Sequence, residues 1–585
     1  MAIPISGEMK DVISVAINTT RTAGESQTAD ESAVPLDLLL ADSTVSAWRR
    51  LRPDASLTRW ALRMAGKPRT VSQRAGKLAT ELAGIAVGSS EIAPNRRDRR
   101  FADAAWSENP LLKRTVQTYL AISQTAEELL ADADLDWRDN TRLKFLLTNA
   151  VAASAPSNYP LISPVAWKAF IDTGGLSAVR GIRALLSDMS SSPHIPKMVE
   201  KDAFTVGKDI GISPGAVVYR TEVFELIQYQ PTTPTVYRYP LLVVPPMINK
   251  FYIADIAPGR SMMEYYVSQG HQVFILSWRN PDQRARHWDL NTYGDAVVNS
   301  MAVAREITKA PKVNIMGLCA GGILSSMVLA HLSDTGQLDQ ISSLTLGVTI
   351  MDMKEAGTAV ALMDTGIAKV SELASRARGY MDGRSLAEVF AWLRPDDLIW
   401  TYWVNNYLQG KKPPPFDILY WNADTTRMPA ALHAQFVEFG MNNALTKPGA
   451  SDMLGSPVDF SKIDLDTYIV AAIDDHISPW HSAYQGTQML GGNKLFVLSN
   501  SGHIAAMVNP PTNPKATFRV GTVNNNPPDH KEWLAQAETV QGSWWPHFTA
   551  WLAERAGDQK QAPKTLGSPK FRPMEAAPGT YVLAR

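Results

Sequence analysis

The segment around Cys319, the only cysteine in the chain, restricts the fold more than any other feature of the sequence. The stretch VNIMGLCAGGILSSMVLAHL (313–332) starts as a short apolar run, passes through Gly317 and Gly321 on either side of the cysteine, and continues with the apolar spacing of a helix. Glycines at these two positions leave room for a strained turn, because a neighbouring side chain would collide with the nucleophile. The pattern predicts a strand, a sharp turn and a helix, with Cys319 at the turn.

This placement favours a chemical role for the cysteine. A lone cysteine is usually a small buried hydrophobic residue. At the start of a helix, however, the dipole favours thiolate over thiol. The backbone N–H of Ala320 can then stabilise an oxyanion that forms next to the sulfur. We therefore interpret Cys319 as a nucleophile and Ala320 as an oxyanion donor.

Short β-branched runs alternate with helical stretches from residue 215 onward. Their spacing predicts parallel βαβ units, with helices on both faces of one sheet. The predicted strands are 216–229, 240–246, 272–278, 312–317, 342–350, 468–474 and 494–499.

The rest of the chain divides by composition. Residues 1–45 are polar, lack periodicity and are predicted to be a flexible leader. Residues 46–205 are predicted to be a helical N-terminal domain, with apolar residues three and four apart over 111–130. The predicted catalytic domain is 206–585, interrupted at 351–460 by an aromatic-rich insertion. We expect this insertion to form a cap over the carboxyl ends of the strands, although most of its aromatic residues, taken singly, are expected to be core.

An acid and a base follow the cysteine in chain order. Asp474 and Asp475 come directly after one predicted strand, and His503 comes after the last one. A nucleophile, then an acid, then a histidine is the order of the α/β-hydrolase fold. Spacing alone leaves Asp474 nearly as good a candidate as Asp475. His476 and His481 lie on the acid loop, so we interpret them as structural or substrate-contacting residues and His503 as the base.

A cysteine nucleophile suits one kind of acyl transfer in particular. Serine would convert a thioester into an oxygen ester of lower energy, whereas cysteine converts it into another thioester. The acyl group therefore stays activated for attack by an alcohol. An apolar cap that excludes water would favour that attack over hydrolysis.

The segments around these residues resemble the polyhydroxyalkanoate synthases over most of the chain. The resemblance includes the G-x-C-x-G box at Cys319, the DHISPW segment, which assigns the family's aspartate to Asp475, and the SGHIAAMVNPP segment, which holds the family's histidine at His503. Further similar stretches are 101–114, 245–258, 277–282, 390–408 and 415–433. The chain is most similar to the single-subunit synthases of the class I and class II group.

The resemblance implies transfer of 3-hydroxyacyl groups from coenzyme A (CoA) onto a growing polyester. It implies homodimers that reside on polymer granules, with the leader and the helical N-terminal domain in contact with granule-associated proteins. The cytoplasm is the expected location because the sequence shows no secretory signal. The second oxyanion donor is expected from the loop after the strand LLVV, at Met247 or Ile248, and His476 is a candidate substrate contact. No cofactor is implied, because the CoA thioester is itself the substrate.

Composition and missing motifs argue against other classes. The 57 basic residues balance 57 acidic ones, so no overall field favours nucleic acid or an anionic membrane. The sequence shows no signal peptide, no apolar run long enough to span a bilayer, no P-loop and no zinc-ligand spacing. Two rival functions are a thioester or polyester hydrolase of the same fold and a non-catalytic granule-coating protein.

Overall fold

The computed structural model describes residues 55–190, 193–354, 365–475 and 477–585. The leader predicted at 1–45 lies outside these residues. Across the described ranges, none of the helices combines the length and the apolar character needed to cross a bilayer.

Helices make up the first described part of the chain. The helix predicted over 111–130 is confirmed as Pro110–Ala131, and it begins where proline at the first position and a capping Asn109 favour a start. The Asn109 side chain accepts hydrogen bonds from the N–H groups of Leu111 and Leu112. In chain order the helices are α1 (Ala55–Ala65), α2 (Pro68–Val87), α3 (Ala105–Glu108), α4 (Pro110–Ala131), α5 (Trp137–Ser154), α6 (Pro164–Asp172) and α7 (Leu176–Met189).

Strands and helices alternate after residue 215. Up to the end of the seventh strand, the elements are β1 (Gly215–Arg220), β2 (Phe224–Tyr229), β3 (Thr235–Tyr237), β4 (Leu241–Val244), α8 (Met262–Ser268), β5 (Val273–Trp278), α9 (Leu290–Thr308), β6 (Val313–Leu318), α10 (Ala320–Asp334) and β7 (Ile341–Gly347). The elements that follow are α11 (Thr365–Arg378), β8 (Tyr380–Met381), α12 (Gly383–Leu393), α13 (Asp417–Ala423), β9 (Met428–Pro429), α14 (Ala430–Asn442), β10 (Asp452–Met453), β11 (Ser456–Pro457), β12 (Thr467–Ala472), α15 (Trp480–Tyr484), α16 (Gly486–Met489), β13 (Lys494–Ser499), α17 (His503–Met507), β14 (Thr517–Val520), α18 (His530–Gln536), β15 (Glu538–Gln541), α19 (Trp544–Ala553) and β16 (Gln559–Gln561).

One ten-stranded sheet organises this part of the molecule, in the order β1-β2-β5-β4-β6-β7-β12-β13-β14-β15. The strands from β5 to β13 in that order are parallel, and the two at each edge are antiparallel. Every residue of β4, β5 and β6 is buried, which explains why these strands read as continuous apolar runs. The predicted α/β-hydrolase fold is confirmed.

Two details of the sheet differ from the prediction. The run 216–229 is a hairpin of two strands, because the polar residues after Arg220 form a turn in which the N–H of Thr221 donates to the carbonyl of Phe224. The edge strands β14 and β15 were not predicted. They are short and carry partly exposed residues, so their sequence lacks a long apolar run.

The aromatic-rich insertion lies between β7 and β12 and contributes α11 to α14 together with two π-helical segments, Asp396–Trp400 and Trp403–Leu408. Most of its aromatic side chains are buried, as expected for core residues. Among the described residues, the buried ones are Tyr402, Tyr407, Tyr420, Trp421, Phe436, Phe439 and Phe460. The limits of the cap at 351–460, and of the domains at 205 and 206, remain predictions.

Candidate active site

Cys319 occupies the turn between β6 and α10. Its backbone has φ 51° and ψ −121°, a strained conformation for a residue with a side chain. Its N–H donates to the carbonyl of Gly347 on β7 at 2.8 Å, and the hydroxyl of Thr349 donates to its carbonyl at 3.3 Å. These bonds to the next strand hold the strained turn in place.

Three glycines make the turn possible. A Cβ added to Gly317 would lie 2.5 Å from the Cα of Gly322, and one added to Gly321 would lie 2.2 Å from the carbonyl oxygen of Val244. A Cβ added to Gly322 would lie 2.0 Å from the hydroxyl of Thr349. The turn therefore packs against β4 and against the segment after β7 without space for side chains.

Gly321→Ala is expected to displace the turn, since the new methyl group would collide with the backbone of β4 and neither partner is a flexible side chain. We expect a loss of about 1–3 kcal/mol in the free energy of unfolding and a large loss of activity. Gly76→Ala is the matched control, because no atom lies within 4 Å of the added Cβ in helix α2. Thermal melts and activity assays of both variants check this, and a Gly321→Ala protein as stable and active as the control would contradict it.

His503 and Asp475 meet beside the turn. The Nδ1 atom of His503, at the start of α17, lies 2.8 Å from Oδ2 of Asp475. The other carboxylate oxygen of Asp475 accepts the N–H groups of Ile477 and Ser478, each at 2.8 Å. The Cys319 side chain is close enough to His503 to act on its ionisation, and since Nδ1 is already engaged, Nε2 is the atom left to face the sulfur. The structure thus brings the three predicted catalytic residues together in one chain of contacts.

The surroundings favour a charged imidazole. Burial opposes the charge on His503, but the negative charge and hydrogen bond of Asp475, together with the contact to Cys319, outweigh it and raise the pKa of His503 to about 10. An imidazolium is thereby stabilised between the carboxylate and the sulfur. Such a group can hold a thiolate and later return its proton to a leaving group.

The remaining residues of the acid loop lie elsewhere. Asp474 is exposed, so the structure distinguishes it from the buried Asp475, which the spacing could not do. His481 is partly buried and packs against His530, with ring centroids 5.5 Å apart. His476, the candidate substrate contact, lies outside the described residues.

The predicted oxyanion donors flank the turn. Ala320 is the first residue of α10, where an N–H has no partner within the helix. Met247 and Ile248 are buried in the turn that follows β4, the strand whose last carbonyl faces Gly321. The segment after β4 thus begins beside the turn, and the two sets of candidate N–H donors come from different elements, an arrangement that suits acyl transfer.

Two tryptophans that sequence reasoning did not assign a role support the histidine. The indole N–H of Trp544 donates to the carbonyl of Ala506 at 2.9 Å, and that of Trp545 donates to the carbonyl of Met507 at 3.0 Å. These carbonyls end the short helix α17, which begins with His503. The indoles therefore satisfy carbonyls that a helix end leaves unpaired and fix the helix that carries the base.

Two family models match the chain. Residues 97–266 match the N-terminus of poly-beta-hydroxybutyrate polymerase, and residues 253–510 match the alpha/beta hydrolase fold. A solved structure of a hydrolase from Pseudomonas aeruginosa PA01 aligns at 13% identity over 50% of this chain and 92% of its own, with a TM-score of 0.30.

Curated relatives are similar over most of their length. Poly(3-hydroxyalkanoate) polymerase 1 of Ectopseudomonas oleovorans is 43% identical over 505 residues, which cover 86% of this chain and 90% of the relative. Polymerase 2 of the same organism is 42% identical, covering 87% of this chain and 90% of the relative. The poly(3-hydroxyalkanoate) polymerase subunit of Cupriavidus necator is 37% identical, covering 86% and 85%.

Proposed function

Because this chain belongs to the family of poly(3-hydroxyalkanoate) polymerases, we propose that it builds a polyester from 3-hydroxyacyl-CoA through an acyl group bound to Cys319. The observation that carries the proposed mechanism is the continuous contact from Cys319 through His503 to Asp475. The chain is an acyltransferase, and its acceptor is a hydroxyl group.

In the first half-reaction the thiolate of Cys319 attacks the carbonyl carbon of the CoA thioester. The oxyanion is stabilised by the N–H of Ala320 and by one of the N–H groups of Met247 and Ile248. The bond between the carbonyl carbon and the CoA sulfur breaks, and His503 gives its proton to the departing sulfur. The products are free CoA and a hydroxyacyl thioester on Cys319.

In the second half-reaction a hydroxyl group attacks the new thioester. His503, now neutral, removes the proton from that hydroxyl, an ester bond forms, and the bond to Cys319 breaks to regenerate the thiolate. The thioester keeps the acyl group reactive between the two steps. Repetition with further 3-hydroxyacyl-CoA lengthens the polyester without a metal or a redox cofactor.

The test is to incubate the purified protein with 3-hydroxyacyl-CoA of several chain lengths and to follow free thiol and polymer together. The proposal requires both to appear in proportion. Thiol release with free hydroxy acid in place of polymer would favour the hydrolase alternative. The same series would show which side-chain length the chain prefers.

We also propose the setting in which this activity operates. What suggests it is the resemblance of the sequence to the polyhydroxyalkanoate synthases: a cytoplasmic homodimer on the surface of polymer granules, in contact with the growing polyester and with granule-associated proteins. Light scattering of the purified protein tests the dimer, and a fluorescent fusion in polymer-producing cells tests the granule location. A monomer that polymerises at full rate, or fluorescence spread evenly through the cell, would contradict these proposals.

Asp475→Asn is expected to lower acylation and elongation by the same factor, about 10⁴-fold. Both oxygens of Asp475 are occupied, one by two backbone N–H groups and the other by His503, so the side chain acts by orienting the imidazole. An asparagine would place an NH₂ group against Nδ1 and favour the tautomer that cannot take a proton at Nε2. Single-turnover CoA release and steady-state elongation measure the two steps, and a much larger loss in elongation would indicate a direct contact with the hydroxyl.

A further inference from the structure

The loop from Pro245 to Lys250 carries the proposed second oxyanion donor, so whatever fixes this loop fixes the oxyanion site. Its first part is held by the sheet: the indole N–H of Trp278 donates to the carbonyl of Pro245 at 2.9 Å. Its far end is Lys250, which comes two residues after Ile248 and directly before the 3₁₀ turn Phe251–Asp255.

Lys250 is a buried cation joined to two separate parts of the protein. Its side chain is 3% exposed, and its ammonium group donates to the carbonyl of Ala584 at 2.6 Å. Its own carbonyl accepts the indole N–H of Trp421, in helix α13 of the insertion, at 2.7 Å. Burying an ammonium group is costly without such partners, and burial lowers the pKa of this one.

The carbonyl that Lys250 reaches belongs to an anchored segment. The N–H groups of Thr580 and Tyr581 donate to Oε2 of Glu225, a buried residue of β2, at 3.1 and 3.0 Å. The hydroxyl of Tyr581 donates to the carbonyl of Thr221 at 2.7 Å. Residues 580–585 are therefore tied to the edge of the main sheet and offer Lys250 a fixed point.

We infer that Lys250 is a positioning residue that fixes the loop from Pro245 to Lys250. Its ammonium group bonds this loop to the 580–585 segment, and its carbonyl bonds the loop to the insertion. The inference rests on the proposed function, because it assumes that the N–H of Met247 or Ile248 faces the oxyanion. Lys250 acts through the loop and touches neither Cys319 nor His503 among the described contacts. Loss of the hydrogen bond from Lys250 to Ala584 is expected to weaken stabilisation of the oxyanion while leaving the thiolate of Cys319 and its base in place.

Lys250→Met separates these two effects, because methionine keeps most of the apolar stem and removes the ammonium group. We expect kcat for CoA release to fall about 10-fold to 100-fold with KM nearly unchanged, since removal of a whole oxyanion donor costs more. Alkylation of Cys319 by iodoacetamide needs a thiolate and no oxyanion site, so its rate should stay at the wild-type value. A chain shortened to end at Leu583 removes the acceptor carbonyl and should show the same pattern, with little further loss in the double variant.

Lys560→Met is the matched control. Lys560 also donates to a backbone carbonyl, that of Thr308 at 2.5 Å, and burial also lowers its pKa, but it joins β16 to α9 and neither element carries a proposed site residue. This variant should keep kcat. Full kcat in both Lys250→Met and the shortened chain, or a fall in alkylation parallel to the fall in kcat, would overturn the inference. A wild-type protein that releases no CoA would instead contradict the proposed function.

Discussion

Cys319→Ala is expected to abolish CoA release and polymer formation together, with a loss of at least about 10⁴-fold. The reason is that the sulfur is the atom to which the acyl group is transferred, and alanine offers no replacement. The change removes one buried atom from a turn whose backbone is held by Gly347 and Thr349, so the fold should persist. Thiol release and polymer yield are measured on the same samples, and circular dichroism verifies folding.

Cys319→Ser is the informative companion, because it keeps a nucleophilic atom at this position, one that ionises much less readily than the thiol, and makes the intermediate an oxygen ester. An acyl group on serine is an oxygen ester, so its transfer to a hydroxyl group no longer gains the free energy that a thioester would release. We expect a slow single acylation and little polymer. Polymer formation at an appreciable rate by the alanine variant would remove the nucleophile assignment.

His503→Gln is the second large effect we expect, a loss of at least about 10⁴-fold in CoA release, comparable with that of Cys319→Ala. Glutamine can accept a hydrogen bond but cannot carry the proton from the thiol to the departing CoA. The alkylation of Cys319 by iodoacetamide at neutral pH should also slow, because the imidazolium that holds the thiolate is lost. Both measurements address the same group by different chemistry.

His481→Gln distinguishes His503 from its rival on the acid loop. His481 packs against His530 and Trp480, so the variant should keep its alkylation rate and most of its activity. If His481→Gln were inactive and His503→Gln active, the base would be misassigned. If the alkylation rate of Cys319 were unchanged in His503→Gln, a base other than the three proposed residues would have to hold the thiolate.

Local patterns made the nucleophile, the strands and the fold predictable. The glycines around Cys319 and the apolar runs of the parallel strands act over a few neighbouring residues, so one sequence suffices to read them. The choice between Asp474 and Asp475 is different, because adjacent residues in a loop can point in opposite directions. Only the three-dimensional structure distinguishes the two residues, because it shows that Asp475 is buried and contacts His503 whereas Asp474 is exposed.

Contacts between distant parts of the chain that carry no motif could not be predicted. Lys250 meets Ala584 across 334 residues, and Trp544 reaches Ala506 across 38. Neither pair has a sequence pattern that links its members. The same holds for the β14–β15 edge of the sheet, whose short and partly exposed strands lack the long apolar runs of its centre.

The most direct test of the account is to find the acyl group itself. The protein is mixed briefly with 3-hydroxyacyl-CoA, quenched in acid and digested. The mass of the peptide that contains residue 319 is then measured by mass spectrometry. We expect a mass increase of one or more hydroxyacyl units on Cys319, which forms as CoA is released and does not appear in the Cys319→Ala variant. Polymer growth with Cys319 unmodified at every time point, and the acyl group found on another residue, would contradict it.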